Sequence, residues 1–328
     1  MDSEDKIWRI TQPEKIMIQQ YINAVRLLLD VAPIVFESPY FAMKGGTALN
    51  LFVQNLPRLS VDIDVVFTDH LMTRDAALET ISSNLNNSRQ KIERMGHSAR
   101  MQKTQKGENI KLLVENGLTQ VKVEVNIVFR GTVLPVEKRP MMQKSQDLFT
   151  TAINLPILAV SELYGSKLVA AMDRQHPRDL FDVMCMYDQF GLTPEIVDCF
   201  VAYLVGHNRP IHEVLFSRDT LLDHIFESDF VGMTNEPLVL QNLLEIRRRM
   251  KKELPLSLTE NHRSFLLSFV RGKPDWELMS FLNLPELPAI RWKLQNLEKL
   301  RKSNPIRFAV QHGELLHQFD KLRSERAN

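Results

Sequence analysis

The stretch Val61 to Phe67 limits the possible folds more than any other. Val61, Ile63 and Val65 face one way while Asp62 and Asp64 face the other, the two-residue period of a strand with two carboxylates on one face. Two carboxylates held that close raise each other's energy unless a cation lies between them. Just upstream, the apolar run Tyr40 to Met43 leads into Lys44-Gly45-Gly46-Thr47. This reads as a short strand ending in a Gly-Gly turn, then a helical turn from Ala48 to Gln54 that Pro57 breaks. A turn without Cβ atoms lets backbone amides approach phosphate oxygens. Thr47 offers a hydroxyl at the point where a helix would begin, and helix starts favour anions.

The remaining patterns extend this into a mixed α/β domain. Pro13 to Phe36 carries apolar residues at helical spacing, including Ile16, Ile18, Tyr21, Ile22, Val25, Leu28 and Leu29. Thr73 to Arg94 is helical again, followed by alternating segments near Ala99–Gln102, Ile110–Val114 and Gln120–Phe129. The domain is expected to close near Pro156, giving a core over residues 1–156 and an all-helical domain over 157–328. A length of 328 residues suits two domains. The fold class is α/β (α+β): a mixed-sheet core with an all-helical C-terminal domain. Trp276 and Trp292 are expected to anchor the helical core.

Composition narrows the function. A formal net charge of +1 argues against a protein that coats nucleic acid, although a local basic groove stays open. The two cysteines have no metal-ligand spacing and suggest no disulfide scaffold. Met1 to Arg9 lacks the apolar run of a signal peptide, and no stretch is long enough to span a bilayer. A cytoplasmic protein with no membrane partner is the expectation.

Asp62 and Asp64 are therefore the candidate ligands of Mg²⁺, with Mn²⁺ as the alternative, and the phosphates of a nucleoside triphosphate would complete its shell. The competing reading is a strand with a wet face beside an unrelated turn. Glu124, mid-strand on the polar face of Gln120–Phe129, is either a third metal ligand or base or a solvent-facing residue alternating with Lys122. Arg58 and Ser60 precede the aspartates; the arginine either clamps a phosphate or pairs with Asp62, and Lys44 is equally ambiguous. Further on, Lys167 and Arg174 share a helix face, and Asp179 and Asp182 follow at the start of the next helix. These form either a hairpin stapled by surface ion pairs or a set in which Lys167 meets the triphosphate and Asp179 orients it. His176 is a loop histidine open to a base or switch role. The run from Arg247 to Lys252 is a solvated helix face or an RNA-phosphate contact.

The blocks Lys44-Gly45-Gly46-Thr47-Ala48-Leu49, Arg58-Leu59-Ser60-Val61-Asp62-Ile63-Asp64, and Lys167 with Arg174 and Pro177 to Asp182 together resemble the AbiEii/AbiGii nucleotidyltransferase toxins. The stretches Ser264–Phe269, Gly272–Trp276 and Leu287–Lys293 resemble the C-terminal part of the same family. The resemblance implies a DNA polymerase β-like nucleotidyltransferase fold with an added helical domain. It implies the toxin of a toxin–antitoxin pair, first recognised in phage abortive infection. The partner implied is an antitoxin encoded nearby, in related systems a winged-helix repressor that does not inhibit by a tight complex. The implied activity is transfer of a nucleotide from NTP to RNA, notably the tRNA 3′ end, which blocks translation. Carried over by position, Asp62, Asp64, Lys167 and Asp179 are catalytic, with Lys167 and Asp179 completing the site from the helical domain. Lys44, Gly45, Gly46, Thr47, Arg58, Ser60 and Asp182 belong to the nucleotide site, and Asp62, Asp64 and Glu124 to the metal. Many polymerase β-like enzymes carry Gly-Ser at the turn where this chain has Gly-Gly-Thr.

Three rivals stay open. The same core can transfer a nucleotide to a protein side chain, an acidic face can serve a non-catalytic binding module, and clustered acids can activate water in a nuclease. The Gly-Gly-Thr turn argues against the nuclease, which needs no triphosphate cradle.

Overall fold

The computed structural model describes residues 12–103, 109–234 and 236–327, so the charged stretch Met1 to Arg9 lies outside it. The fold is mixed α/β. The chain forms two compact units: Met1–Val160 together with Phe230–Leu238, and Ser161–Asp229 together with Val239–Asn328. No pattern in the sequence announces the return of residues 230–238 to the first unit.

The first unit runs α1 (Gln12–Val35), β1 (Phe41–Lys44), α2 (Gly45–Phe52), β2 (Ile63–Phe67), α3 (Arg74–Arg94), β3 (Ser98–Lys103), β4 (Asn109–Glu115), β5 (Gln120–Asn126), β6 (Glu137–Pro140), α4 (Gln143–Phe149) and β7 (Asn154–Ile157). Its strands make one mixed sheet in the order β3-β4-β5-β2-β1-β7-β6. β2 is antiparallel to β1 and parallel to β5, so the strand that carries Asp64, with Asp62 just before its start, is central. Ile63, Val65, Val123 and Val125 are fully buried on one face of these strands. Helix α3 shows why its sequence folds locally: Thr73 accepts from the Ala76 amide as N-cap, and Ala77, Ile81, Leu85, Ser88 and Ile92 form one buried stripe.

Two expectations shift. The strand read from Val61 starts instead at Ile63. The chain before it is drawn elsewhere: Arg58 makes an isolated antiparallel bridge with Thr234, and the Leu59 amide donates to the Met233 carbonyl at 2.9 Å. Elements β6, α4 and β7 were not anticipated. β6 is an edge strand with mostly exposed side chains and therefore lacks apolar alternation.

The second unit is helical: α5 (Val160–Arg174), α6 (Pro177–Gln189), α7 (Pro194–Gly206), α8 (Ile211–Leu215), α9 (Asp223–Asp229), α10 (Leu240–Ser257), α11 (Glu260–Val270), α12 (Pro288–Ser303) and α13 (Pro305–Ala327). Helices α5 and α7 approach closely at Gly165, where a Cβ would lie 2.6 Å from the Cys199 Cβ and 2.7 Å from backbone. Trp276 packs against Phe265 and Phe269. Trp292 does not anchor the core: it is 46% exposed, because the buried stripe of α12 runs through Ala289, Ile290, Lys293 and Leu297 and passes it by. Among the described residues no helix is long and apolar enough to cross a membrane.

Candidate active site

Lateral neighbours on adjacent strands share a face of the sheet, and one such row collects charge. Lys44 on β1 pairs in register with Asp64 on β2, Asp64 with Glu124 on β5, and Glu124 with Lys111 on β4. Two residues before Glu124, Lys122 reaches across to Asp62. The polar alternation of β2 and β5 thus builds a single charged surface from four strands.

The Gly-Gly turn lies against this surface. Gly45 has φ +77°, and a Cβ there would sit 2.2 Å from Asp64 Oδ2. A Cβ on Gly46 would sit 2.7 Å from Arg58 Nη2 and 3.0 Å from Ser60 Oγ. The turn is therefore pressed between Asp64 on one side and Arg58 with Ser60 on the other, and only glycine fits at its first position.

Thr47 and Arg58 are more internal than a phosphate-contacting role would suggest. Thr47 is fully buried; its hydroxyl donates to the Asp62 carbonyl at 2.5 Å and lies 3.1 Å from Ser60 Oγ. It ties the start of α2 to the backbone that carries the first aspartate. Arg58, 3% exposed, donates from Nη1 to the Leu59 carbonyl. Asn50, which sequence reasoning passed over, donates to the Gly46 carbonyl at 2.8 Å and accepts from the Arg58 amide at 3.3 Å. It links the turn to the segment approaching the aspartates, and its only signal in the sequence is a buried-type position in α2 filled by an amide.

Glu124 is ion-paired rather than solvent-facing. Its Oε2 lies 3.1 Å from both Lys111 Nζ and Lys122 Nζ, and Lys122 Nζ is also 3.6 Å from Asp62 Oδ1. Burial pushes the Glu124 pKa up, but hydrogen bonds from Lys122 and Lys111 outweigh it and hold the carboxyl below its ordinary range. Burial likewise lowers the Lys122 pKa, and Asp62, Glu124 and Asp64 more than reverse this. Among the described residues no three or more His, Cys, Asp or Glu gather as a ready-made metal cluster. The donor chemistry nevertheless suits a hard dication: carboxylate oxygens from Asp62 and Asp64 beside a turn whose missing Cβ atoms leave backbone amides approachable.

The second unit holds its own charged cluster. Lys167 Nζ lies 2.9 Å from Asp179 Oδ1 and 2.9 Å from Asp182 Oδ2, and Arg174 grips Asp179 with Nε and Nη2. Asp179 and Asp182 are 1% and 3% exposed, so the surface-staple reading is corrected: helices α5 and α6 are joined by a buried charge network. Burial opposes the Asp179 charge, but Lys167 and the Arg174 hydrogen bonds overcome it and depress its pKa strongly. His176 is the N-cap of α6, its Nδ1 accepting from the Arg178 amide, and burial lowers its pKa. In the basic run, Arg247 is buried and donates to Gln175 and to the Thr220 carbonyl. Arg249 covers the Tyr187 ring and Lys251 pairs with Asp219, so three of the cations have structural work within the unit.

A sheet carrying two aspartates one strand-period apart, with a Gly-Gly turn against the second, is the arrangement to compare with known proteins. The family model described as nucleotidyl transferase AbiEii toxin, Type IV TA system, matches residues 26–296. The chain belongs to the AbiEii nucleotidyltransferase toxin family. No curated protein matches it. Among solved structures it is similar to MenT4, a nucleotidyltransferase toxin from Mycobacterium tuberculosis H37Rv, with TM-score 0.57 and 19% identity over 88% of this chain and 99% of that one. At that identity the likeness speaks for the fold. Membership makes this chain a nucleotidyltransferase with an NTP substrate, and the toxin half of a type IV pair whose other half is an antitoxin. AbiEii-family toxins of this kind use a divalent metal with the NTP.

Proposed function

We propose that this AbiEii-family toxin moves a nucleoside monophosphate from NTP to the 3′ end of an RNA, tRNA first among the candidates, and so blocks translation. The observation that carries the reading is the close approach of the Gly45 turn to Asp64, which brings the backbone of the Gly-Gly turn directly beside the paired aspartates. Asp62 and Asp64 would hold Mg²⁺, or Mn²⁺ in its place, which when bound neutralises the triphosphate and polarises the α-phosphate. The chain's own contribution is placement. Thr47 fixes the backbone of Asp62, and Asn50 fixes the turn relative to Arg58. Amides of the turn bind phosphate oxygens while Lys44 lies in register beside Asp64. An RNA 3′-hydroxyl attacks the α-phosphate in line and pyrophosphate leaves, with positioning and charge neutralisation supplying the rate. Lys167 and Asp179 are carried into this reading by the motif they share with the family. The toxin would act in the cytoplasm, as a phage-defence device, against a nearby-encoded antitoxin.

The test is a transfer assay with Mg²⁺, each α-³²P-NTP in turn and total tRNA, read on a denaturing gel. Wild-type protein should label tRNA, and Asp62→Ala and Asp64→Ala should each abolish the label while the circular dichroism spectrum stays unchanged. Label on protein alone would replace the RNA acceptor with a protein side chain. Label left by a folded Asp62→Ala/Asp64→Ala variant would remove the mechanism.

A further inference from the structure

Converging carboxylates need a cation, and in this chain an ammonium group already provides one. Lys122 Nζ stands between Asp62 Oδ1 at 3.6 Å and Glu124 Oε2 at 3.1 Å, on the face that also carries Asp64. Its two anchors differ. Glu124 keeps a second cation, Lys111, at 3.1 Å, and is the more enclosed, its side chain 19% exposed against 46% for Asp62. An ammonium and a dication compete for the same oxygens, and each raises the cost of the other a few ångströms away.

We propose that Lys122 is a resident counter-ion that the divalent cation displaces from Asp62, and that Glu124 is the carboxylate that parks it. This rests on the reading that Asp62 and Asp64 hold the cation. Lys122 then has two positions, one shared between Asp62 and Glu124 and one on Glu124 alone. The arrangement keeps the paired aspartates neutralised before the cation arrives. It gives Glu124 a task other than that of third metal ligand or base: a carboxylate already held by two lysines is poorly placed to give its oxygens to a metal.

The experiment is Mn²⁺ binding to the full-length protein without nucleotide, followed by electron paramagnetic resonance of free Mn²⁺. Lys122→Met should bind Mn²⁺ about tenfold more tightly than wild type, the order expected for removing one like charge near a partly exposed cation. Lys122→Arg, which keeps the charge, should stay near wild type. Glu124→Gln should bind more weakly, because the unparked lysine then presses on Asp62. The Lys122→Met/Glu124→Gln double variant should return to the affinity of Lys122→Met. Unchanged or weaker binding by Lys122→Met overturns the displacement, and loss of binding in the double variant makes Glu124 a ligand and overturns the parking role. Asp64→Asn separates the two levels. Wild-type binding by that variant sinks the underlying metal site, whereas its loss alongside an unaltered Lys122→Met sinks the Lys122 inference alone. Thermal melts of each variant identify any that fail to fold, and Lys122→Gln substitutes for Lys122→Met if that one does.

Discussion

Gly45 is the residue on which the candidate site is most finely balanced. Its φ of +77° costs an L-residue about 1–2 kcal/mol, and a methyl group would lie 2.2 Å from Asp64 Oδ2. Gly45→Ala should therefore push Asp64 aside and abolish nucleotide transfer while lowering the melting temperature only modestly. The label on RNA and a thermal melt measure the two effects separately, and a fully active Gly45→Ala would show that Asp64 need not stay against the turn. At this scale the alternation that singles out Asp62 and Asp64 is legible in the sequence, because a two-residue period is a local property. The sequence spoke less well for Thr47 and Arg58, whose burial depends on chain brought from far away. Lys111 and Lys122 were out of reach as partners of Glu124, since register between strands is not written in either strand alone.

Helices α5 and α6 are joined by charge rather than by apolar contact alone, and this gives the pair an acid dependence. The Asp179 pKa is depressed below its ordinary 3.8, so its contribution to stability is fully present above about pH 4 and is lost as pH falls below that. Asp179→Asn leaves buried Lys167 with Asp182 alone and frees Arg174 from its carboxylate, a loss of charged hydrogen bonds that should cost about 1.5–3 kcal/mol near neutral pH. In urea melts from pH 7 down to pH 3 the gap between variant and wild type should hold steady to about pH 4 and narrow below it. A gap independent of pH would place the stabilisation elsewhere. The helices themselves were legible in outline from apolar spacing, as was strand β5 from its alternation. Strand β6 was not, because an exposed edge strand has no buried face to mark it. Trp292 misled for a related reason: residue type suggests burial, but only the stripe of α12 decides it.

The family was readable from motif blocks spread along the chain, yet the path of the backbone was not. Residues Phe230–Leu238 rejoin the first unit, where Met233 accepts from the Leu59 amide and Thr234 bridges Arg58. A fragment of residues 1–160 lacks these partners and should melt below the same fragment joined by a short flexible linker to residues 230–238. Equal melting temperatures would mean that the return adds nothing to the unit it rejoins. The chain between residues 160 and 230 is thus a loop with both ends held. If the helices in it unravel, closing that loop costs entropy that grows with its slack length, and the cost falls on the bridge beside Arg58. Heat or protease that opens the helical unit would then loosen the approach to the aspartates through the connectivity of the backbone, making the loss of one unit's order felt in the other as a weaker tether.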